Sequence, residues 1–443
     1  MPPTRHPLIA LLAIGVVLRL LFVMVIDPRP RLEGGDVRWY LDKGYSLVAG
    51  TLDHPVQTGP VFLVYAGVVQ HLFRDLFIAL RPLQPFWAPH HAPPLPLTTT
   101  AAQMIRLLNV LWGAVLIAAV YQLGLLYFTP RVATLAGLVL ALSPAFVIEA
   151  GAPLTESLFM ALLFAGLALH ARRQERPTMR SLILCGVLFG AAALTRVVVL
   201  LFPLALIAHL IRLHGWRRGL RLGAVLATAF MLTVSLWTVY NLARWNRFII
   251  GGEGLTAFAY IGVTGITDPR SIDASIGEDA AAGQRDAAFA AGFFDAILND
   301  FPGWVRTRLS NLSEAYLQPH NTVYYPGESL KTLALSWLTA DRSLSGLLRV
   351  VRGDAFFPKL LLYLVHGWAL IGGAVGMFLT LRRRGAFFLA FPLYGLIAYL
   401  TAVHVVIYAL PRYLFPLTPA FYLFAAVAAG SLWRAKNPST NRS

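Results

Sequence analysis

The sequence predicts an all-α polytopic membrane protein that forms a single membrane domain over residues 1–443. Hydrophobic residues make up 57% of the chain, charged residues only 13%, and the mean hydropathy is +0.64. A soluble domain of this size with so much apolar surface would aggregate. The apolar residues fall in long runs separated by short arginine clusters, which is the pattern of membrane-spanning helices and their connecting loops. The lipid bilayer is therefore the first expected partner.

The net charge of +16 does not indicate nucleic-acid binding. The basic residues lie in short clusters between apolar runs, and such clusters mark the cytoplasmic side of a membrane protein. The only cysteine, Cys185, lies inside an apolar run, so a disulfide within the chain is impossible.

A spanning helix needs about 20 apolar residues, because the hydrocarbon core is about 30 Å thick and each helical residue rises about 1.5 Å. The run at residues 8–26 contains Arg19 and has no small-residue cleavage site after it, so it is interpreted as an uncleaved first span. Seven further runs meet the length requirement: 105–128, 132–149, 154–171, 222–241, 356–381, 386–404 and 408–433.

Residues 181–211 are too long for one comfortable span, since about 31 helical residues would extend about 46 Å. Both flanks carry arginines, which predicts that both lie in the cytoplasm. The flanking residues are Arg172, Arg173, Arg176 and Arg180 before the segment and Arg212, Arg217, Arg218 and Arg221 after it. The segment is therefore predicted to cross twice and to turn near Thr195 and Arg196.

Residues 60–80 are apolar enough to cross, but they carry His71, Arg74 and Asp75. If this run does not cross, the arginine clusters and both termini face the cytoplasm. The sequence therefore predicts about ten spans, with residues 60–80 as a helix on the outer membrane face. Two large outer loops follow, 27–104 and 242–355. The first contains a proline-rich stretch, 81–96; the second contains a turn-rich stretch, 267–277, and an amphipathic helix, 280–299.

Motifs of nucleotide-binding and zinc enzymes are absent from the sequence: it has no phosphate-binding loop, no G-x-G-x-x-G, no H-E-x-x-H and no cysteine pair. Polar residues instead gather at the predicted outer ends of spans, where ionisable groups are costly and often functional. Asp36 follows two glycines at the start of a predicted helix that ends near Ala49. A carboxylate there can act as a general base or simply cap the helix.

Three more positions share this outer placement. Glu156, with Glu149 before it, could orient an acceptor or bind a cation, or could stabilise a helix start through the dipole. Arg196, at the turn of the 181–211 hairpin, could clamp a phosphate or extend to lipid headgroups. Arg412 and Tyr413, with His404 nearby, could bind a second phosphate oxygen or belong to an interfacial aromatic belt.

The order of these residues resembles the GT-C superfamily of lipid-sugar-dependent glycosyltransferases, especially the protein mannosyltransferase, aminoarabinose transferase and rhizobial galacturonosyltransferase-like group. The resemblance covers most of the chain. It is carried by Leu18-Arg19-Leu20, Gly34-Gly35-Asp36 with Tyr40, Thr58-Gly59-Pro60, Arg106-Leu107-Leu108-Asn109, Ser143-Pro144, Leu154-Thr155-Glu156, Leu194-Thr195-Arg196, and Pro411-Arg412-Tyr413 with Pro416.

The resemblance implies a GT-C-like helical bundle whose first outer loop forms two juxtamembrane helices. It implies an enzyme that moves a sugar from a polyprenyl-phosphate donor to an extracytoplasmic acceptor, such as a glycolipid, protein or polysaccharide, with inversion at the anomeric carbon. Asp36 matches the position of the general base. Glu156 stands where relatives often have Asp, and Arg196 stands where they often have Lys.

Several expectations accompany this prediction. The enzyme lies in the cytoplasmic membrane with its active site on the outer side, and Tyr40, Glu149 and His404 support the site. No cofactor is indicated with certainty, and metal dependence stays open, because Asp36 and Glu156 could share a divalent cation but nothing in the sequence requires it. The alternative function is a transporter or flippase for a lipid-linked substrate, which predicts polar residues near span midplanes in paired halves of the chain.

Overall fold

A computed structural model describes residues 5–30, 35–56, 58–80, 97–252, 255–264 and 282–436. The proline-rich stretch 81–96 and the turn-rich stretch 267–277 lie outside these residues. The chain divides into two compact units, each described by itself. The first comprises Met1–Leu142 and Phe146–Gly252, and the second comprises Ser143–Ala145 and Glu253–Ser443.

The first unit is built from ten helices in the described residues, the sixth of which begins within the second unit's Ser143–Ala145 segment. They are α1 (Arg5–Leu21), α2 (Gly35–Ala49), α3 (Pro60–Leu80), α4 (Leu97–Tyr127), α5 (Pro130–Leu142), α6 (Pro144–Ala150), α7 (Glu156–Arg173), α8 (Met179–Thr195), α9 (Pro203–His214) and α10 (Trp216–Trp245).

The described part of the second unit is also helical. Its helices are α11 (Leu255–Thr264), α12 (Ala282–Asn299), α13 (Phe301–Leu317), α14 (Leu330–Ala340), α15 (Leu344–Val351), α16 (Phe356–Leu381), α17 (Arg384–Leu389), α18 (Phe391–Val406), α19 (Pro411–Leu414) and α20 (Thr418–Lys436). Helix α12 coincides with the described part of the predicted amphipathic helix, 280–299.

The chain is an integral membrane protein, as its composition predicts. Within the described ranges, six helices are long and apolar enough to span a bilayer, and the bent pair α5 and α6 would make a seventh span. Every predicted span coincides with a helix or a pair of helices. Two of the remaining predicted spans coincide with shorter apolar helices, α8 and α18. The predicted span 154–171 coincides with α7, which is not among these helices and carries Glu156 at its start and two arginines at its end. Of the about ten predicted spans, six or seven therefore coincide with helices that are long and apolar enough to cross a bilayer.

Prolines explain where several predicted spans are interrupted. The run at 132–149 is bent by 55° at the junction of α5 and α6, because Pro144 cannot donate the hydrogen bond that would continue the helix. The run at 386–404 is divided at Ala390, just before Pro392. The last run begins with a short helix and a 3₁₀ turn over Phe415–Leu417 before α20 starts.

The predicted first outer loop contains the two expected helices, α2 and α3, and they cross closely. A Cβ atom added at Gly67 would lie 2.1 Å from the carbonyl oxygen of Gly44, so the backbones are in direct contact. Gln70 of α3 donates a hydrogen bond of 2.8 Å to the carbonyl of Leu41 in α2. His71 stacks on Tyr45 with ring centroids 4.5 Å apart. The crossing fixes α2, and with it the position of Asp36, on the long helix α3.

We expect Gly67→Ala to destabilise the protein by about 1–3 kcal/mol, because the added methyl group forces α2 and α3 apart. Gly367→Ala is the matched control, since Gly367 also lies inside a helix but has open space around its Cβ position. Thermal unfolding in detergent should show a lower midpoint for Gly67→Ala and an unchanged or higher midpoint for Gly367→Ala. Equal midpoints would contradict the close crossing.

Candidate active site

A buried ion pair joins two of the predicted site residues. The Nη1 atom of Arg196 lies 2.7 Å from Oε1 of Glu156. The Glu156 side chain is fully buried, and that of Arg196 is 13% exposed. The guanidinium also lies 5.8 Å above the ring of Phe159. Arg196 is therefore inside the protein against Glu156, and it does not extend to lipid headgroups as one interpretation of the sequence allowed.

The loop before Glu156 is held by the long helix α4. Asn109 donates a hydrogen bond of 2.7 Å from its side-chain amide to the carbonyl of Ala152. Thr155 then donates its hydroxyl to Oε2 of Glu156 at 3.3 Å. The first turn of α7 thus carries a carboxylate whose oxygens contact a hydroxyl and a guanidinium.

Arg196 lies where α8 ends. Its backbone is extended, with φ −144° and ψ 111°, and its N–H group donates to the carbonyl of Ala192. Gly59 packs against the same turn, because a Cβ there would lie 2.0 Å from the carbonyl oxygen of Leu194. The Thr58-Gly59-Pro60 and Leu194-Thr195-Arg196 segments, distant in sequence, therefore meet where α3 begins and α8 ends.

Asp36 is exposed in the first turn of α2, while the following residue, Val37, is buried. Tyr40, one helical turn later, is half-buried and meets Phe62 edge to face at 5.2 Å. Val37 and Leu158 belong to one apolar cluster, so the starts of α2 and α7 share a core. Its buried members are Val37, Leu41, Phe62, Ala66, Val69, Ala101, Ala102, Ile105 and Leu158.

Glu149, the predicted supporting carboxylate, is buried in α6 and lines a small cavity inside the first unit that has both polar and apolar lining residues. Arg19 of α1 and Ser157 of α7 line the same cavity. The Arg19 guanidinium donates to the carbonyls of Leu140 and Ala141 at 3.2 Å each. Arg19 thus has partners within the protein and satisfies carbonyls at the end of α5, as expected of a charged residue inside a span.

Arg106 is a buried residue to which sequence reasoning gave no role of its own. It donates to Oε1 of Gln103 at 2.7 Å and to the backbone carbonyl of Asp27, and its Nη2 atom lies 3.7 Å from the Asp27 carboxylate. It therefore ties the end of the first span to α4. Its position in an apolar run beside Asn109 was the signal that could have identified it.

The other three predicted residues lie in the second unit. His404 is buried at the end of α18, and its Nδ1 atom lies 3.1 Å from the carbonyl oxygen of Tyr408. Its ring stacks on that of Tyr413 with centroids 5.5 Å apart and an interplanar angle of 17°. Arg412 precedes Tyr413 in α19 and is half-buried. The turn that connects α18 to α19, residues 404–413, thus contains all three residues, and the contact between the His404 and Tyr413 rings stabilises it.

Arg308 stabilises this turn from α13, and nothing in the sequence pattern distinguished it from its exposed neighbour Arg306. Its guanidinium donates to the carbonyl of Ile407 at 3.2 Å and to the carbonyl of Gly262. A Cβ at Gly262 would lie 2.0 Å from the Ile407 oxygen. Burial lowers the pKa of Arg308, and the charge of Tyr408 raises it. Helices α11 and α13 are thereby joined to the segment that leads to Arg412.

The predicted site residues therefore form two groups. Asp36, Tyr40, Glu149, Glu156 and Arg196 lie in the first unit, and the structure brings Glu156 and Arg196 into direct contact. The second group, in the other unit, is His404, Arg412 and Tyr413. Among the described ranges, no cluster of three or more His, Cys, Asp or Glu side chains could hold a metal ion.

Comparison with known proteins gives one family match. Residues 95–245 match the family described as dolichyl-phosphate-mannose-protein mannosyltransferase. The matched region runs from the start of α4 to the end of α10 and includes Glu149, Glu156 and Arg196. Comparison with curated protein sequences gives no significant match.

Solved structures show the fold. The oligosaccharyltransferase of Archaeoglobus fulgidus matches in its apo form with a TM-score of 0.54 and 15% identity, over 99% of this chain and 53% of that chain. The same enzyme tethered to an acceptor peptide gives a TM-score of 0.54, 14% identity and coverages of 99% and 51%. The chain thus spans about half the length of these relatives.

A weaker likeness, with a TM-score of 0.41 and 17% identity, is to ArnT from Cupriavidus metallidurans bound to undecaprenyl phosphate, over 99% of this chain and 81% of that one. The likeness to the oligosaccharyltransferase, whose membrane part has the GT-C fold, confirms the predicted GT-C-like fold.

The buried pair predicts a characteristic stability pattern. Glu156→Gln alone leaves the Arg196 charge inside the protein, and Arg196→Gln alone leaves the Glu156 charge there. Each should cost about 3–5 kcal/mol, and the double variant should cost less than the sum of the two. Unfolding midpoints of the four proteins in detergent provide the measurement.

Glu314→Gln is the control for this cycle. It removes an exposed ion pair with Lys331, whose Nζ lies 3.2 Å from Oε1 of Glu314, and should cost at most about 1 kcal/mol. Additive effects of Glu156→Gln and Arg196→Gln would show that the two charges do not interact.

Proposed function

We propose that the chain is a membrane glycosyltransferase that moves a sugar from a polyprenyl-phosphate donor to an extracytoplasmic acceptor, which is a glycolipid, a protein or a polysaccharide. The observation that carries the proposal is the buried Glu156–Arg196 ion pair. It lies within the region that matches the protein mannosyltransferase family. The GT-C fold is consistent with this activity, since the enzymes that share it transfer sugars.

In the proposed reaction the carrier phosphate is the leaving group, and negative charge grows on it as the glycosidic bond breaks. Arg196 stabilises this charge, because a guanidinium presents five N–H donors and holds its charge in a poorly hydrated site. Glu156 orients it through the contact at Nη1. A cation that is already positioned costs little reorganisation when the transition state forms.

Asp36 serves as the general base. Its exposed position in the first turn of α2 suits contact with an acceptor that arrives from water. The carboxylate accepts the proton of the acceptor hydroxyl while the acceptor oxygen attacks the anomeric carbon from the face opposite the phosphate. The new glycosidic bond forms as the bond to the phosphate oxygen breaks, so the configuration at that carbon inverts.

Arg412 supplies a second cation for the phosphate in this proposal, and Tyr413 and His404 support it through the stacked turn. The proposal also places the site on the outer side of the cytoplasmic membrane, with both termini in the cytoplasm, as the arginine clusters predict.

We expect Asp36→Asn to reduce sugar transfer by about 100-fold to 10,000-fold, because the amide cannot accept the acceptor proton. A deletion strain is complemented with wild type or with the variant, and envelope lipids and glycans are compared by mass spectrometry. Asp42→Asn is the matched control, since Asp42 is an exposed carboxylate on the same helix, with its Oδ2 atom 3.6 Å from Nε of Arg38.

The expected result is a glycosylated product that is missing in the deletion, restored by wild type and by Asp42→Asn, and not restored by Asp36→Asn. Full restoration by Asp36→Asn would remove Asp36 from the mechanism. A deletion that leaves every glycosylated product intact, but changes the side of the membrane on which a lipid-linked sugar accumulates, would support the transporter alternative instead.

A further inference from the structure

Two short helices of the second unit, α14 and α15, form a hairpin that precedes the spanning helix α16. Trp337 of α14 donates its indole N–H to the carbonyl of Ser343 at 2.9 Å. Asp341, in the connection, accepts hydrogen bonds from Ser343 and pairs with Arg349 of α15. These hydrogen bonds and this charge hold the pKa of Asp341 below its usual value, so the carboxylate stays ionised and keeps the hairpin closed.

The hairpin exposes leucines along one face. In α15, Leu344, Leu347 and Leu348 are 73%, 38% and 44% exposed. Their spacing of three and four residues puts them on one side of the helix. Leu335 and Leu338 of α14 are also about half exposed, at 51% and 49%. No residue of α14 is buried, so in a purely aqueous environment this hairpin would expose an apolar surface to water.

Both ends of the hairpin are tied to the first turn of α16. Lys359 of α16 is buried and donates to the carbonyls of Pro326 and Glu328, at 2.5 and 2.9 Å, just before α14 begins. At the other end, α15 stops at Val351 and α16 starts at Phe356. Helix α14 also contacts α16 directly. The hairpin is therefore fixed at the point where the spanning helix begins.

Helix α16 presents a lipid-facing stripe that reaches this point. Exposed apolar residues recur along one side of the helix, beginning in its first turn. They are Phe357, Leu361, Leu364, Ile371, Val375 and Phe378. Phe357 is 71% exposed and lies only six residues after the hairpin ends, so the exposed apolar side of α16 begins in the same first turn to which the hairpin is tied.

The net positive charge of the hairpin also favours a position at a membrane surface. Residues 330–352 carry one carboxylate, Asp341, and four cations, Lys331, Arg342, Arg349 and Arg352. Arg342 and Arg352 are exposed. An exposed apolar face combined with basic residues is typical of helices that lie in the headgroup region of a membrane, where leucines enter the acyl boundary and arginines meet phosphates.

We propose that the α14–α15 hairpin is a membrane-surface anchor that lies in the headgroup region of the leaflet at which α16 begins. The lipid surface itself covers the exposed leucines of the hairpin. The inference rests on the exposed leucines, the ties to α16 and the excess of cations, and it does not depend on the proposed enzymatic activity.

The test uses single labelled cysteines. Cys185 is the chain's only cysteine and is buried, so the unmodified chain serves as the unlabelled blank. Leu347→Cys and Leu344→Cys carry an environment-sensitive fluorophore on the apolar face. Ser345→Cys is the matched control, because it is exposed and lies about 160° around the helix from Leu347 and about 100° from Leu344.

The labelled proteins are placed in nanodiscs of phosphatidylcholine and phosphatidylglycerol, with and without a nitroxide near the top of the acyl chains. We expect the Leu347→Cys and Leu344→Cys probes to lose about half of their fluorescence to the nitroxide and to resist aqueous iodide. The Ser345→Cys probe should show the reverse. Size-exclusion chromatography identifies any variant that fails to fold, and either leucine position alone is sufficient for the test.

Two outcomes would overturn the proposal. Quenching of the leucine-position probes by iodide, to the same extent as the Ser345→Cys probe, would place the apolar face in water. Shielding of these probes from both quenchers would show that protein covers the face, either from this chain or from a second copy.

Discussion

The arrangement of the first unit depends on burying two opposite charges, Glu156 and Arg196, next to each other inside a bundle that is surrounded by lipid. Neither charge is tolerable alone in such an environment, since removing an isolated ion from water costs several kcal/mol even after the protein relaxes. The pair must therefore be held at hydrogen-bond distance. Asn109 fixes the loop before Glu156, and the packing of Gly59 on Leu194 fixes the turn before Arg196.

These contacts give two of the sequence motifs a structural role that is not catalytic. Thr58-Gly59-Pro60 and Arg106-Leu107-Leu108-Asn109 both act through contacts with backbone. A glycine is needed where two segments approach closely, and a buried arginine or asparagine is needed where carbonyls have no helical partner. The proposed catalytic roles are then limited to Asp36, Glu156 and Arg196. These three charged residues lie at the start of α2, at the start of α7 and at the end of α8.

Much of the fold could be predicted from the sequence, because apolar run length and arginine placement act over whole segments. The helix bounds of α2, α3 and α12 follow their patterns closely. The bend at Pro144 and the division at Ala390 were not anticipated, although both follow from a proline that cannot continue the backbone hydrogen bonding. The Glu156–Arg196 contact could not be predicted from spacing, because the two residues are 40 positions apart and meet through the packing of α7 on α8.

Arg308 and Lys359 show a second limit of sequence reasoning. Each is a buried cation that binds backbone carbonyls, and neither lies in a pattern that separates it from exposed basic residues nearby. The predicted placement of Asp36, Glu156, Arg196 and Arg412 around one phosphosugar likewise remains a prediction. It concerns residues of two units, and the order of residues along the chain carries no direct information about it.

If the Glu156–Arg196 pair receives the carrier phosphate, removing both charges should weaken the binding of polyprenyl phosphate. Affinity is measured by native mass spectrometry in nanodiscs for wild type, for the Glu156→Gln, Arg196→Gln double variant, and for Arg172→Gln. The last removes an exposed arginine at the other end of α7. The proposal predicts that the double variant binds at least about tenfold more weakly, since it loses a charge-assisted hydrogen bond, and that Arg172→Gln binds like wild type. Equal affinity in all three proteins would contradict it.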